Sequence, residues 1–414
     1  MTELGDTKAA RWFSRGRIKA AALLVTCSMV TAACASSSPS TSSGGTSSTK
    51  PYVIGLTTNI GPTNAAFFGP VNSALTAYVK YVNDNGGVNG RKLSVVTLND
   101  NGDPAQAVTN FGQLQADNAV IIIGNTQNTA VTPLVPKAQA AQIPMVWATL
   151  NDGAPTPYIY GYAPDTPDST VAQLNFAVAN LLPGVAPKVA FVGAGDPVIG
   201  AEVQKALTDR IAQIPGGKFV ANEVLPLNAT SFTVGAEKIK ASGANVIISA
   251  EGAGADKVLY TGLQAAGLAN VPVVGYSFSY AIANLKSVND PNFYVYYFAL
   301  DPSAPNPALA PMLAQAKAAG TSTAIGALYT EFYALSVAIV SALKHCGANC
   351  TGAGLNTALA SSATHSDTGG ITTPVGFTTS NHSFAQQVQF VHINSAGQIV
   401  DAGPLSTVGN SFRQ

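Results

Sequence analysis

Short apolar runs that alternate with longer amphipathic segments are the main feature of the chain from Pro51 onward. The run YVIGLTT is followed by a segment with helical spacing of apolar residues, which stops at the helix terminators Gly86 and Gly87. Later runs, among them AVIIIG, KVAFVGAG and ANVIISAEG, are almost continuous in valine, isoleucine and alanine. Strands have this composition when helices cover both faces of a parallel sheet. The alternation therefore predicts an α/β fold with doubly wound sheets.

The alternation occurs twice, which predicts two lobes. One set runs from about Pro51 to Pro157, and a second runs from near Asp168 to about Val288. Aromatic segments, YIYGYAPDTPDST and FYVYYFALDP, follow the two sets and suit passages between lobes. A helical region comes next, and the chain finishes on a hairpin-like pair, QQVQFVHINSAGQIVDAG. We predict that the first lobe comprises residues 51–165 plus 296–371, and the second lobe residues 166–295 plus 372–414.

The first fifty residues are predicted to lie outside this fold. Four basic residues between positions 11 and 19 precede the uncharged run AAALLVTCSMVTAA, which is too short to span a bilayer. Residues 1–33 therefore have the pattern of a signal peptide. The ending TAAC resembles a bacterial lipobox, with Thr31 where a larger aliphatic residue is usual; this implies that Cys34 is lipidated at the extracytoplasmic face, and secretion without a lipid stays open. Residues 34–50, rich in Ser, Thr and Gly, are predicted to be a flexible tether.

Charge and cysteine usage narrow the choice of partners. From Cys34 onward the chain has 16 basic and 19 acidic residues, a formal charge of −3, without a basic cluster, so nucleic acid is not an expected partner. Cys346 and Cys350, in HCGANC, are expected to form a disulfide in an exported protein. The adjacent His345 leaves a metal site conceivable, but no second ligand cluster accompanies it, and we predict neither a metal nor a cofactor.

Several motifs resemble the type I periplasmic binding proteins of the branched-chain amino-acid kind. They are NDNGGVNGRKL, NDNGDPAQAV, GNTQNTAVTPLVPKAQAAQIPMV, YALSVAIVSAL, and TPVGF followed by VQFVHIN, and their order and spacing cover the chain from Pro51 onward. The resemblance implies two α/β lobes joined by three crossing strands, with a ligand cleft between the lobes. It also implies an exported, non-enzymatic protein that closes on a small polar solute and delivers it to an ABC permease.

In the first lobe, the ends of strands are the expected contact points. Ligands of open α/β sheets collect beyond the carboxyl ends of the strands, and free N–H groups at a helix start suit a carboxylate or carbonyl. By resemblance, Asn128, followed by Thr129, occupies the position of a family serine that binds the ligand carboxylate. Phe68 and Gly69 match an aromatic and glycine pair of the family, although plain helix packing would explain the ring equally well. The next contact loop is implied to hold Thr149, Leu150 and Asn151.

In the second lobe, the chain departs from the family pattern. Ile199 and Gly252 stand where the family tends to place aromatic residues, and Ser277 stands where amino-acid binders commonly have a glutamate that pairs with the ligand ammonium. Burying an unpaired ammonium costs several kcal/mol. Either another acid serves, with Glu251 and Asp196 the nearest candidates, or the solute has no ammonium group.

Other functions explain the sequence less well. A hydrolase would need Gly-x-Ser-x-Gly, but Gly275 and Ser277 are followed by Ser279, and the four histidines lie in the last seventy residues. GAGDPVIG and GAGADK do not complete a dinucleotide fingerprint, and no HExxH or paired CxxC motif suggests metal chemistry. A ligand sensor that signals to a membrane partner has the same fold, and the sequence leaves that alternative open.

Overall fold

In a computed structural model, the protein is described for residues 50–61, 65–147, 155–164, 166–193, 197–226, 229–250, 255–276, 281–303, 305–323 and 326–408. The predicted signal peptide, Cys34 and nearly all of the tether lie outside these residues. The predicted lobe boundaries stay a prediction, and the elements are given below by the sheet to which they belong.

The first sheet is fully parallel and forms in the order β2-β1-β3-β4-β5. Its strands are β1 Tyr52–Thr58, β2 Leu93–Asn99, β3 Ala119–Asn125, β4 Met145–Trp147 and β5 Ile159–Gly161. The helices between them are α1 Ala65–Asp84, α2 Pro104–Ala116, α3 Asn128–Val131 and α4 Val135–Ala141. The central strands β1 and β3 are buried almost throughout, as their continuous apolar runs predicted.

The second sheet is mixed and forms in the order β12-β11-β10-β9-β8-β6-β7, with β13 pairing to β11. Its strands are β6 Lys188–Gly193, β7 Lys218–Val224, β8 Val246–Ala250, β9 Val273–Gly275, β10 Phe293–Tyr297, β11 Gln387–Ile393, β12 Ile399–Asp401 and β13 Ser406–Thr407. The helices associated with it are α5 Thr166–Phe176, α6 Pro197–Ala212, α7 Thr233–Ser242, α8 Ala255–Ala265 and α9 Ala281–Val288. Strands β6 to β10 run parallel, whereas β11 and β12 form the antiparallel pair predicted from the end of the sequence.

Three later helices return to the first sheet: α10 Ala310–Ala319, α11 Ala327–Cys346 and α12 Gly352–Leu359. Helix α11 packs against α1 and α12, and α12 also packs against β3. By length and hydropathy α11 could span a membrane, but 83% of its most apolar window is buried inside the protein. It is therefore a core helix of the first lobe.

The chain passes between the two sheets three times: after β5, after β10 and before β11. The second and third connections pair, because Leu300 N–H donates to Ile371 C=O (2.9 Å) and Thr373 N–H donates to Phe298 C=O (2.8 Å). The third also pairs with β5, since Phe384 N–H donates to the Gly161 carbonyl (2.8 Å). Two α/β lobes joined by three crossing segments confirm the predicted fold.

The disulfide predicted from HCGANC closes a loop beneath the first sheet. The Cα atoms of Cys346 and Cys350 are 5.3 Å apart and their sulfur atoms are bonded. Inside this loop, the carbonyls of Gly347 and Ala348 accept hydrogen bonds from the buried Tyr52 hydroxyl at 3.0 and 2.8 Å. The loop thus fixes the amino end of β1, at the edge of the sheet where its strands begin.

Candidate functional site

The carboxyl ends of β1, β2 and β3 carry a polar network centred on Asp100, which is fully buried. Its carboxylate accepts hydrogen bonds from the Thr57 hydroxyl (2.7 Å), the Thr126 hydroxyl (2.8 Å) and the Gly102 N–H (2.8 Å). Neutral donors can stabilise a buried carboxylate when they satisfy its oxygens. The negative charge of Asp100 is therefore engaged in holding three strand ends together.

A second group of contacts ties the start of α1 to the same edge. Asn125, at the end of β3, donates from Nδ2 to the Thr58 hydroxyl (3.0 Å) and to the Phe68 carbonyl (2.7 Å). Phe68 and Gly69 are half-buried, and among the described residues a Cβ atom built on Gly69 would meet no atom of another element within 4 Å. Phe68 thus lies beside the strand ends.

Asn128 and Thr129 are the first two residues of α3, at this edge of the sheet. Asn128 is half-buried and Thr129 is exposed, and within the described residues neither side chain makes a hydrogen bond. The helix has no side-chain N-cap bond from Gln127. The first N–H groups of a helix have no carbonyl in a preceding turn to bind. Side-chain and backbone groups that could bind an acceptor therefore lie together at the start of α3, three residues after Asn125.

In the second lobe, Gln173 holds the ends of two strands together. The residue lies on α5 and is fully buried, and its Nε2 donates to the carbonyls of Ser249 (3.0 Å) and Val274 (2.9 Å). These carbonyls belong to β8 and β9, the strands that precede residues 251–254 and 277–280. Gln173 therefore fixes the carboxyl ends of β8 and β9 relative to each other.

Most of the predicted contact residues of the cleft fall outside the described part of the chain. These are Thr149, Leu150 and Asn151 in the first lobe, and Asp196, Glu251, Gly252 and Ser277 in the second. Ile199 lies in α6 by its backbone, but its side chain is not described. The segments that hold these residues follow the carboxyl ends of β4, β6, β8 and β9 in the sequence. The roles of these residues in ligand binding stay predictions.

The sequence did not predict the roles of Asp100, Asn125 and Gln173. In the segment NDNGD, Asp103 caps α2 and its side chain accepts a hydrogen bond from Gln106 N–H at 2.8 Å. The same five residues also contain Asp100, whose position after a buried strand was the available signal. In the described residues, no group of three or more His, Cys, Asp or Glu side chains could hold a metal ion.

Two α/β lobes, three connections and polar strand ends define the class of two-lobed solute-binding proteins. A model of the periplasmic binding protein family matches residues 51–398, and the chain belongs to that family. Members of the family bind solutes and are not enzymes. The resemblance inferred from the sequence motifs is thereby confirmed.

Individual relatives are distant. The Leu/Ile/Val-binding protein homolog 1 of Brucella abortus is 30% identical over 81 residues, which are 20% of this chain and 22% of that protein. The matched region thus spans about a fifth of the curated relatives.

Two solved structures share the fold over most of their length. A branched-chain amino-acid ABC transporter protein from Thermus thermophilus with bound valine has a TM-score of 0.69 at 15% identity, covering 88% of this chain and 97% of that one. A solute-binding protein from R. palustris in complex with 4-hydroxybenzoate has a TM-score of 0.66 at 19% identity, covering 87% and 97%.

Proposed function

We propose that this protein is a lipid-anchored extracytoplasmic solute-binding protein, which captures a small polar solute between its lobes and delivers it to an ABC permease. The proposal rests on Asn128 and Thr129 at the start of α3, whose side chains make no hydrogen bond within the described part of the chain. They combine free donors with a position at the carboxyl ends of parallel strands, where α/β proteins bind their ligands. A carboxylate, carboxamide or carbonyl oxygen of the solute is the group that these donors fit.

The second lobe sets the specificity in this proposal. Residues 251–254 and 277–280 follow the two strand ends that Gln173 ties together, so contacts from them would complete the site only when the lobes close. Ser277 in place of a glutamate favours a solute without an ammonium group, such as a small organic acid or amide. The R. palustris neighbour binds 4-hydroxybenzoate, which has no ammonium, and the Thermus neighbour binds valine, which does.

The attachment to the membrane is proposed from the signal sequence and Cys34. The contacts of Lys50 and Pro51, where the described part of the first lobe begins, agree with such an attachment. Arg91 donates to the carbonyls of Lys50 (2.7 Å) and Pro51 (3.2 Å), at the edge of the first sheet where β1 begins. Lys50, the last residue of the predicted tether, is thus bound at the edge of the first sheet opposite the candidate site. Incorporation of labelled palmitate by the wild-type chain, and its loss in Cys34→Ala, tests the anchor.

Solute binding is best tested by a thermal-shift screen of the ligand-free protein against amino acids, amides, short-chain and aromatic acids, and polyols. A compound that binds only the folded state raises the melting temperature. Trp147, the only tryptophan after residue 33, ends β4 beside the predicted contact loop and gives an independent fluorescence signal. Release of product from any compound would contradict the proposal.

The contacts at α3 are tested with Asn128→Ala, using the best compound of the screen. The variant should weaken binding by about tenfold, equivalent to about 1.4 kcal/mol, because one hydrogen bond to the solute is lost. Asn222→Ala is the matched control, since Asn222 is exposed on β7 and its side chain bonds only to Gln204 in the described residues. Equal affinities for the two variants would remove α3 from the site.

A further inference from the structure

A cavity of about 190 Å³ lies at the junction of the two lobes, separate from the strand ends described above. It is bounded by β10, β11 and β12 of the second sheet, by the connection that follows β10, and by the first residue of α11. Seven of its eleven lining residues are apolar, among them Ile282, Leu300 and Val391. Of the first-lobe candidate residues that the structure describes, Phe68, Asn128 and Thr129, none lines it.

The polar residues of the cavity come from two parts of the chain: Tyr297, Asp301 and Asn306 lie within ten residues of one another, and Asp401 lies about a hundred residues later. Sheet pairing brings Asp401 close to β10, because Val295 of β10 lies opposite Val391 of β11, and Val391 lies opposite Asp401 of β12. Tyr297 follows Val295 by two residues, so its side chain lies on the same face of the sheet. Asp301 enters from the connecting segment, where one carboxylate oxygen accepts the Ser303 N–H at 2.8 Å.

The described lining of the cavity is acidic. Among the residues that the structure describes, the lining contains two aspartates and no lysine, arginine or histidine. Neither aspartate takes part in the salt bridges of the described residues. Asp401 is an exposed residue, and partial desolvation of its carboxyl group raises its pKa. Burial together with the nearby Asp401 raises the pKa of Tyr297 to about 12. A positive group placed here would relieve the unfavourable negative potential.

We propose that this junction cavity is a second binding site, which takes a small organic cation: an amine with an apolar body. The ammonium group binds Asp301 and Asp401, with Tyr297 and Asn306 as neutral partners, and the body packs on the apolar walls. The volume suits a single ring with a short chain, because a cavity of about 150 Å³ accommodates benzene. The proposal is independent of the solute that binds at the strand ends.

The test is a calorimetric titration of the mature protein with phenethylamine, compared with the neutral isostere 2-phenylethanol. We expect phenethylamine to bind about tenfold more tightly than the alcohol, because only the amine pairs with the carboxylates. Asp301→Asn and Asp401→Asn should each weaken amine binding by about tenfold. Asp301→Asn keeps an oxygen that can accept the Ser303 N–H, so the fold is preserved.

Asp367→Asn is the matched control, because Asp367 is an exposed aspartate that likewise accepts a backbone N–H, from Gly369 at 2.8 Å. Its affinity for phenethylamine should equal that of the wild type. Absence of amine binding at millimolar concentration, or equal loss in all three variants, overturns the proposal. Any solute from the thermal-shift screen should bind together with the amine, and mutual exclusion would overturn the separate site. If no solute of the screen binds, the titrations with phenethylamine still test the junction cavity.

Discussion

Asp100 is the residue on which the first-lobe strand ends depend. It is completely buried, and three donors from β1, from its own turn and from the end of β3 converge on it. Asp100→Asn places an NH₂ group where donors already point, so at least one buried hydrogen bond is lost. We expect the free energy of unfolding to fall by about 2 kcal/mol, measured by urea denaturation.

Asp84→Asn provides the comparison for Asp100. Asp84 pairs with Lys80 at 2.7 Å on the exposed face of α1. Exposed pairs of this kind contribute less than about 1 kcal/mol. Similar losses at both positions would show that the Asp100 network has little effect on stability.

His382 makes stability depend on pH at the connection between the lobes. It stacks on Tyr160 with ring centroids 4.3 Å apart, and its Nδ1–H donates to the Ile159 carbonyl at 2.8 Å. Burial lowers the pKa of His382 below its ordinary value of 6.5, although the backbone hydrogen bonds oppose this. Because the unfolded chain then binds the proton more readily, the contribution is complete above about pH 6.5 and is lost as the pH falls below it.

We expect His382→Phe to flatten the decline in unfolding free energy between about pH 7 and pH 5. The phenylalanine ring can keep the stacking on Tyr160, but near neutral pH the lost hydrogen bond should cost about 1 kcal/mol. Burial and the neighbouring His345 also lower the pKa of His365, so a residual slope is expected. Chemical denaturation at several pH values measures the slope, and an unchanged slope in the variant would contradict this assignment.

Among the structural elements, the third connection depends on a glycine at one position. Gly376 has φ of 124°, and a Cβ atom added there would lie 2.4 Å from the Cα of Ala363. Gly376→Ala should therefore destabilise the protein by more than about 2 kcal/mol, because both the backbone angle and the space exclude a side chain. Thermal unfolding measures the effect.

Gly397→Ala separates the effect of the backbone angle from the effect of the close contact. Gly397 also has positive φ, 74°, but a Cβ atom there would meet nothing within 4 Å. Only the strain of the backbone angle remains at this position. We expect Gly397→Ala to lower the free energy of unfolding by about 1 kcal/mol. If both alanine variants lose the same stability, the close contact with Ala363 is not important.

The motif NDNGGVNGRKL, which carried part of the family resemblance, has a structural role in the first lobe. Asn83 bonds the backbone N–H and C=O of Leu93 at 2.8 and 2.9 Å, and Asn89 donates to the Leu343 carbonyl near the end of α11 at 3.0 Å. Its arginine, Arg91, stacks over Tyr52 at 3.7 Å. The sequence predicted the turn from its glycines but not these partners, because they lie up to 254 residues away.

For the whole molecule, lobe closure is the property that the proposed function requires. A solute held by both lobes should lower the radius of gyration in small-angle X-ray scattering, because binding stabilises the closed state. The same solute at about 100 times its Kd should add about 2.7 kcal/mol to the free energy of unfolding. A solute that gives the stability gain without the decrease in radius would show binding to one lobe alone.

The sequence by itself determined the α/β class, the two lobes and the antiparallel end of the second sheet, because hydrophobic periodicity and turn residues act over a few positions. Only the tertiary structure decided which polar residues are engaged. Asn125 and Asn128 are three positions apart and chemically alike. Asn125 donates a hydrogen bond to Thr58, which is 67 residues away in sequence, whereas the Asn128 side chain makes no hydrogen bond in the described part of the chain. The lobe-junction cavity likewise combines Asp301 with Asp401. Such pairings depend on strand register and lobe packing, which no local pattern encodes.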